Sequence, residues 1–144
     1  MSQLSILFQP PPAECFRDDC GRESRGQREN GVIGEFAPAF EVSETSRELR
    51  IQADVPGVAL RDLAVFVVGG HMLIWGERKR AELPKDLQFH AYERTYGRFW
   101  RTFRPTHDCD LHHMQANVRH GVLTVRVPKQ SHSARSADLS ATGA

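Results

Sequence analysis

The residues best equipped for chemistry crowd one short stretch, where His107, Cys109, Asp110, His112 and His113 fall within seven positions. Imidazole, thiolate and carboxylate groups bind transition metals, but a tetrahedral zinc site needs four of them to converge. On a strand the adjacent His112 and His113 would point to opposite faces, and no second Cys-x-x-Cys or His-x-x-x-His pair supports them. The cluster therefore reads as polar surface, with no metal and no cofactor expected. Cys15 and Cys20 read as thiols that pair between chains or respond to oxidation, if they act at all. No nucleophile elbow is visible. Gly69-Gly70 is hairpin chemistry, and Gly21 to Gly26 lacks the Lys-Ser/Thr partner of a phosphate-binding loop. No catalysis is expected.

Charge narrows the partners. The 144 residues carry 19 basic and 18 acidic groups for a net +1, and the two signs interleave, which gives little steering toward nucleic acid. Phe89, Tyr92, Tyr96, Phe99 and Trp100 with nearby arginines could stack on single strands, but the interleaved acids argue against a nucleic-acid partner. No apolar run is long enough to cross a bilayer as a helix, so no membrane partner is expected. Met1–Phe8 has no basic n-region and ends at Pro10-Pro11-Pro12. A secretory signal is therefore not expected, and a cytoplasmic location with reduced thiols is.

The elements that position these residues fall into three zones. Residues 1–35 hold a small apolar cluster (Leu4, Ile6, Leu7, Phe8), three prolines and a charged Gly-rich run. They read as a flexible N-terminal arm with a second sticky patch at Phe16 or Val32-Ile33. Residues 36–128 read as the folded domain. Leu49, Ile51, Ala53 and Val55 alternate with polar residues as in a half-buried strand, and Pro56-Gly57 stops it. Leu63–Val68 is apolar on both sides and joins His71–Trp75 through Gly69-Gly70. Further strands are expected at Phe89–Tyr96, Phe99–Phe103, Met114–Val118 and Val122–Val127, the last closed by Pro128. Short strands with turns between them and no helical stripe predict an all-β fold, a β-sandwich. Residues 129–144, with Leu139 as their one large apolar side chain, read as a disordered C-terminal tail.

Four motifs within about Phe36–Lys129 carry a resemblance. They are Ala53-Asp54-Val55-Pro56-Gly57-Val58, then Leu73-Ile74-Trp75-Gly76-Glu77-Arg78, then Glu93-Arg94-Thr95-Tyr96-Gly97-Arg98-Phe99, and finally Ala116 to Leu123 with Gly121-Val122-Leu123 and the Pro128-Lys129 exit. In order and spacing the chain resembles the small heat shock proteins of the α-crystallin/Hsp20 family, bacterial type. The resemblance implies an immunoglobulin-like sandwich of two antiparallel sheets, with Pro56, Gly57, Gly76, Gly97, Ala116, Gly121 and Leu123 as structural motif residues. It also implies a homodimer, or small oligomers, made by exchanging a strand at Phe89–Tyr96. Phe89, Ala91, Tyr92, Glu93, Arg94 and Tyr96 would then form the interface. The family's C-terminal I-x-I anchor has no counterpart after Pro128, which limits large assemblies held by that tail.

The function so implied is an ATP-independent holdase in the stress response. It would bind non-native client proteins, prevent their aggregation and hand them over to ATP-dependent chaperones. Client binding is expected at Leu4, Ile6, Leu7 and Phe8 of the arm. A second site is expected in a groove walled by Leu63–Val68 and Val122–Val127, through Val65, Val67, Leu123 and Val125. The competing expectation is a non-catalytic co-chaperone or scaffold on the same sandwich, dedicated to one protein partner.

Overall fold

The computed structural model describes residues 2–18, 20–21 and 30–130. Among them run β1 (Ser2–Leu4), β2 (Ile6–Leu7), β3 (Asn30–Gly34), β4 (Phe40–Glu44), β5 (Glu48–Asp54), β6 (Leu63–Val68), β7 (His71–Arg78), β8 (Gly97–Phe103), β9 (Gln115–Arg119) and β10 (Val122–Pro128). They form a two-sheet sandwich, with order β1-β9-β10-β5-β4 in one sheet and β2-β6-β7-β8-β3 in the other. Every pairing is antiparallel except that of β2 with β6, which is parallel.

The alternating patterns do what period two demands. Ile51 and Ala53 of β5, Leu123, Val125 and Val127 of β10, and Met72 and Ile74 of β7 point between the sheets and are buried. Phe99 joins them from β8, with Phe36 and Phe40 set edge-on against its ring at centroid distances of 5.8 and 6.2 Å. Gly69 and Gly70 turn β6 into β7 with φ of 55° and 77°, the pair of positive values that a two-residue hairpin needs to match strand twist.

The two-sided apolar character of Leu63–Val68 has a direct structural counterpart. Leu63, Val65 and Val67 enter the sandwich core. Phe66 points away from it, yet is only 4% exposed. Something covers the outside of this sheet.

Two expectations need correction. Residues 1–35 were expected to carry no regular elements, whereas β1, β2 and β3 all arise there and supply three of the four sheet edges. These strands have three, two and five residues, and β3 reads Asn-Gly-Val-Ile-Gly, so none is long or apolar enough to show a period. Phe89–Tyr96, expected as a strand, has no ladder among the described residues of its own chain, and β8 begins at Gly97 rather than Phe99. Neither face of the segment is apolar enough for a central core strand, which leaves it only an edge position. In the tail, Lys129 and Gln130 hydrogen-bond to Arg47 and Asp108 backbone carbonyls. Residues 131–144, Leu139 included, lie outside the described residues.

Candidate functional site

On one side of the sandwich is a mouth where β9 of the first sheet faces β6 of the second. The arm's first residues close it. Ser2, Gln3 and Leu4 lie antiparallel to Val118, Asn117 and Ala116. After a crossing at Ser5, Ile6 and Leu7 lie parallel to Val65 and Phe66. Leu4 and Ile6, two residues apart, therefore both turn inward across the gap. Leu4 is 7% exposed and belongs to the core, and Ile6 packs against it half-buried. Phe8 is left outside, its ring stacked on His112 at 5.2 Å and 15°. Beside it an open cleft of about 390 Å³ lies between the Gly69-Gly70 hairpin and the Cys109–His112 turn.

The expected client-binding residues divide. Leu4, Ile6, Leu7, Val65 and Val67 do meet at this mouth, and Phe8 stands at its end. Leu123 and Val125 do not. They sit in β10, between β5 and β9, and are 1% and 0% exposed. The second wall is β9, with Ala116 buried and Val118 half-buried. The physical reason is that the most apolar strand is driven to the centre of its sheet, leaving the weaker Gln115–Arg119 strand at the rim. The polar residues of β9, Gln115, Asn117 and Arg119, were the available signal.

The His/Cys/Asp cluster serves local structure. His112 and His113 lie on a short 3-10 turn, Leu111–His113, rather than on a strand. The Asp110 carboxylate caps this turn, accepting from the His112 backbone N–H at 3.1 Å and meeting His113 Nδ1 at 2.6 Å. That hydrogen bond to His113 holds the Asp110 carboxyl below its ordinary range. Lys129 is pushed up chiefly by its hydrogen bond to Glu44, and Asp108 is lowered chiefly by the Thr106 hydroxyl.

The residues expected at a dimer interface stand together on the loop after β7. Phe89 and Tyr92 are each 53% exposed and meet edge to face at 5.2 Å. The Arg80 guanidinium lies 5.2, 4.6 and 5.2 Å from the Phe89, Tyr92 and Tyr96 ring centres. Arg94 donates to the Tyr96 hydroxyl at 2.9 Å, while Ala91 and Glu93 are exposed. Arg78 anchors this loop to the sandwich. It donates to the Thr95 carbonyl at 2.7 Å and the Pro56 carbonyl at 3.1 Å, and lies 4.0 Å over the Phe36 ring. The motif residues thus converge: Pro56-Gly57, Arg78 and the segment before Gly97 form one junction. The backbone N–H of Val55 ties it to the Gly121 carbonyl at 2.7 Å.

Comparison with known proteins gives the same assignment from several directions. The Hsp20/alpha crystallin family profile matches residues 41–139. The chain is 38% identical to Spore protein SP21 of Stigmatella aurantiaca over 95 residues, which cover 66% of this chain and 56% of that protein. A 22.0 kDa heat shock protein of Arabidopsis thaliana is matched over only 46% of its length, so the chain spans about half the length of these curated relatives. By contrast, a 17.4 kDa class I heat shock protein of rice is 35% identical over 90% of both chains. Among solved structures, a small heat-shock protein from Xylella fastidiosa superposes with a TM-score of 0.62 at 31% identity, covering 68% of this chain and 90% of that one. HspA of Xanthomonas axonopodis gives 0.57 at 32%, covering 66% and 95%. The chain belongs to the Hsp20/alpha crystallin family.

Proposed function

We propose that this protein is a non-enzymatic, ATP-independent holdase whose arm guards its principal apolar groove. The observation that carries the reading is the seating of Leu4 and Ile6 in the mouth between β6 and β9. A holdase needs apolar surface that is hidden at rest and offered on demand. Two inward aliphatic side chains on ladders of three and two residues suit that task. Burying each such side chain contributes about 1.5–3 kcal/mol at most, a difference that heat or a competing chain can overcome. Withdrawal of residues 2–7 would bare Val65, Val67, Ala116 and Val118 together with the unpaired edges of β6 and β9. An extended, apolar stretch of a non-native client could then add to either edge.

The dimer is part of the same proposal. Among the described residues, β4 is the sheet edge that no arm strand covers, and Val42 on it is 51% exposed. The Phe89–Tyr96 loop of a second copy, without a ladder of its own among the described residues, has the length and the exposed aromatics to pair there. Cytoplasmic residence fits three free cysteines, and hand-over to ATP-dependent chaperones would follow release.

The deciding experiment follows the turbidity of several unrelated heat-labile proteins, without ATP, while light scattering reports particle mass. Suppression near stoichiometric ratios is expected, and Leu4→Ser with Ile6→Ser should suppress at lower ratios than the natural chain. If neither form protects any client, the holdase reading fails and a scaffold with one dedicated partner takes its place. Phe89→Asp with Tyr92→Asp should convert the dimer to monomer.

A further inference from the structure

We propose that the outer face of the β6–β7–β8 sheet is a second polypeptide-binding surface, suited to proline-led turns that present an aromatic side chain and held at rest by the chain's own Pro10–Phe16 strap.

The face is built for an occupant. Trp75 and Trp100 stand opposite each other across β7 and β8, and Phe66 flanks them across from Leu73. These side chains lie outside the sandwich core, yet Trp100 is only 2% exposed. Trp100 lies across β3 where that strand has Gly31; a Cβ there would fall 1.9 Å from the indole, so only glycine lets the ring lie flat. The result is a broad aromatic floor on a rigid sheet.

The strap that covers it has a definite chemistry. Pro12 has φ −60° and ψ 148° and leads into a short 3-10 turn, Ala13–Phe16, which the Cys15 backbone N–H closes by donating to the Pro12 carbonyl at 3.1 Å. Beyond it, Trp75 Nε1 donates to the Cys15 carbonyl at 2.9 Å, and Phe16 meets Trp100 edge-on at 5.2 Å and 88°. Arg98 donates to the Arg17 carbonyl. An indole N–H taking a carbonyl from a proline-led turn, beside an aromatic contact, combines a directional hydrogen bond with apolar burial.

The strap is also replaceable. It makes no strand ladder with β6, β7 or β8, unlike β1 and β2 at the groove. It leaves Trp100 Nε1 buried without an acceptor, so another segment could satisfy a donor that this one does not. Being tethered, the strap competes at millimolar effective concentration, and outside segments gain access only once it loosens. This surface is separate from the arm-filled groove, and its test does not depend on client protection.

The chain's two tryptophans both lie on this face, so their emission reports it specifically. The experiment uses the full-length natural chain, the Phe16→Ala chain, and a labelled peptide with the sequence of residues 9–18. In Phe16→Ala, emission should move to longer wavelength. The peptide should bind this variant about tenfold more tightly than the natural chain, and lose about tenfold when its own phenylalanine is replaced by alanine. Equal peptide affinity for the two chains would overturn the proposal. Should Phe16→Ala fail to fold, the natural chain decides through the alkylation rate of Cys15 during heating. Reaction before the global melt supports a releasable strap; reaction only together with the melt overturns it.

Discussion

The first half of the arm is held at two places by different physics. At the groove, Ser2–Leu7 is fastened by backbone ladders to both sheets, with Leu4 and Ile6 as aliphatic plugs. On the outer face, Pro10–Phe16 is fastened by an indole hydrogen bond and an aromatic edge contact, with the Arg98 guanidinium holding the adjoining Arg17 carbonyl, and without a ladder. The first attachment extends the sandwich; the second rests upon it. One short segment can therefore be stripped in stages, the outer face opening at smaller cost than the groove. Both attachments depend on the same β6–β7–β8 platform, and that shared support makes the comparison testable.

The largest expected effect abolishes the difference. Phe99 lies beneath β8 at the centre of the core, and Phe99→Ala should cost about 3–5 kcal/mol. A lowered denaturant midpoint should be accompanied by loss of groove and strap protection together. Next comes Leu4→Ala, which should weaken arm docking by about 2 kcal/mol. Hydrogen exchange at β9 amides should accelerate while tryptophan emission stays put. Phe16→Ala should do the reverse, shifting emission with about 0.5–1.5 kcal/mol of local loss and leaving β9 exchange unchanged. In the double variant the two losses should add to within about 0.5 kcal/mol if the attachments are independent; a larger coupling would mean that the arm releases as one unit.

The smallest effect concerns pH. Burial foremost, then the Glu14 carboxylate, pushes the Cys15 thiol above its ordinary value, with Arg98 pulling the other way. A group raised in the docked state contributes stability fully below its ordinary value and loses it as pH rises through the raised one. The strap should accordingly loosen on the alkaline side of the thiol range. Tryptophan emission in a pH titration checks this, and Cys15→Ser should flatten the response.

Much of this was legible in the residues. Period-two alternation in Glu48–Asp54 and Val122–Pro128, the Gly69-Gly70 hairpin and the two-sided Leu63–Val68 strand follow from local chemistry, because side-chain polarity and turn geometry act within a few positions. The apolar character of Leu4, Ile6, Leu7, Phe8 and Phe16 was equally visible. Partner choice was not. That β9 rather than β10 walls the groove depends on sheet order, which long-range burial decides. That the arm supplies three edges depends on which edges the domain leaves unpaired. Phe89–Tyr96 finds no ladder among the described residues of its own chain because neither of its faces is apolar enough to claim a central place in a sheet. The sequence by itself determined a two-layer β-fold, its turns and its sticky arm, since those rest on neighbouring residues. Only the tertiary structure decided where the arm goes, because three sheet edges and one aromatic face exist as receptors only after residues far apart in the chain have packed.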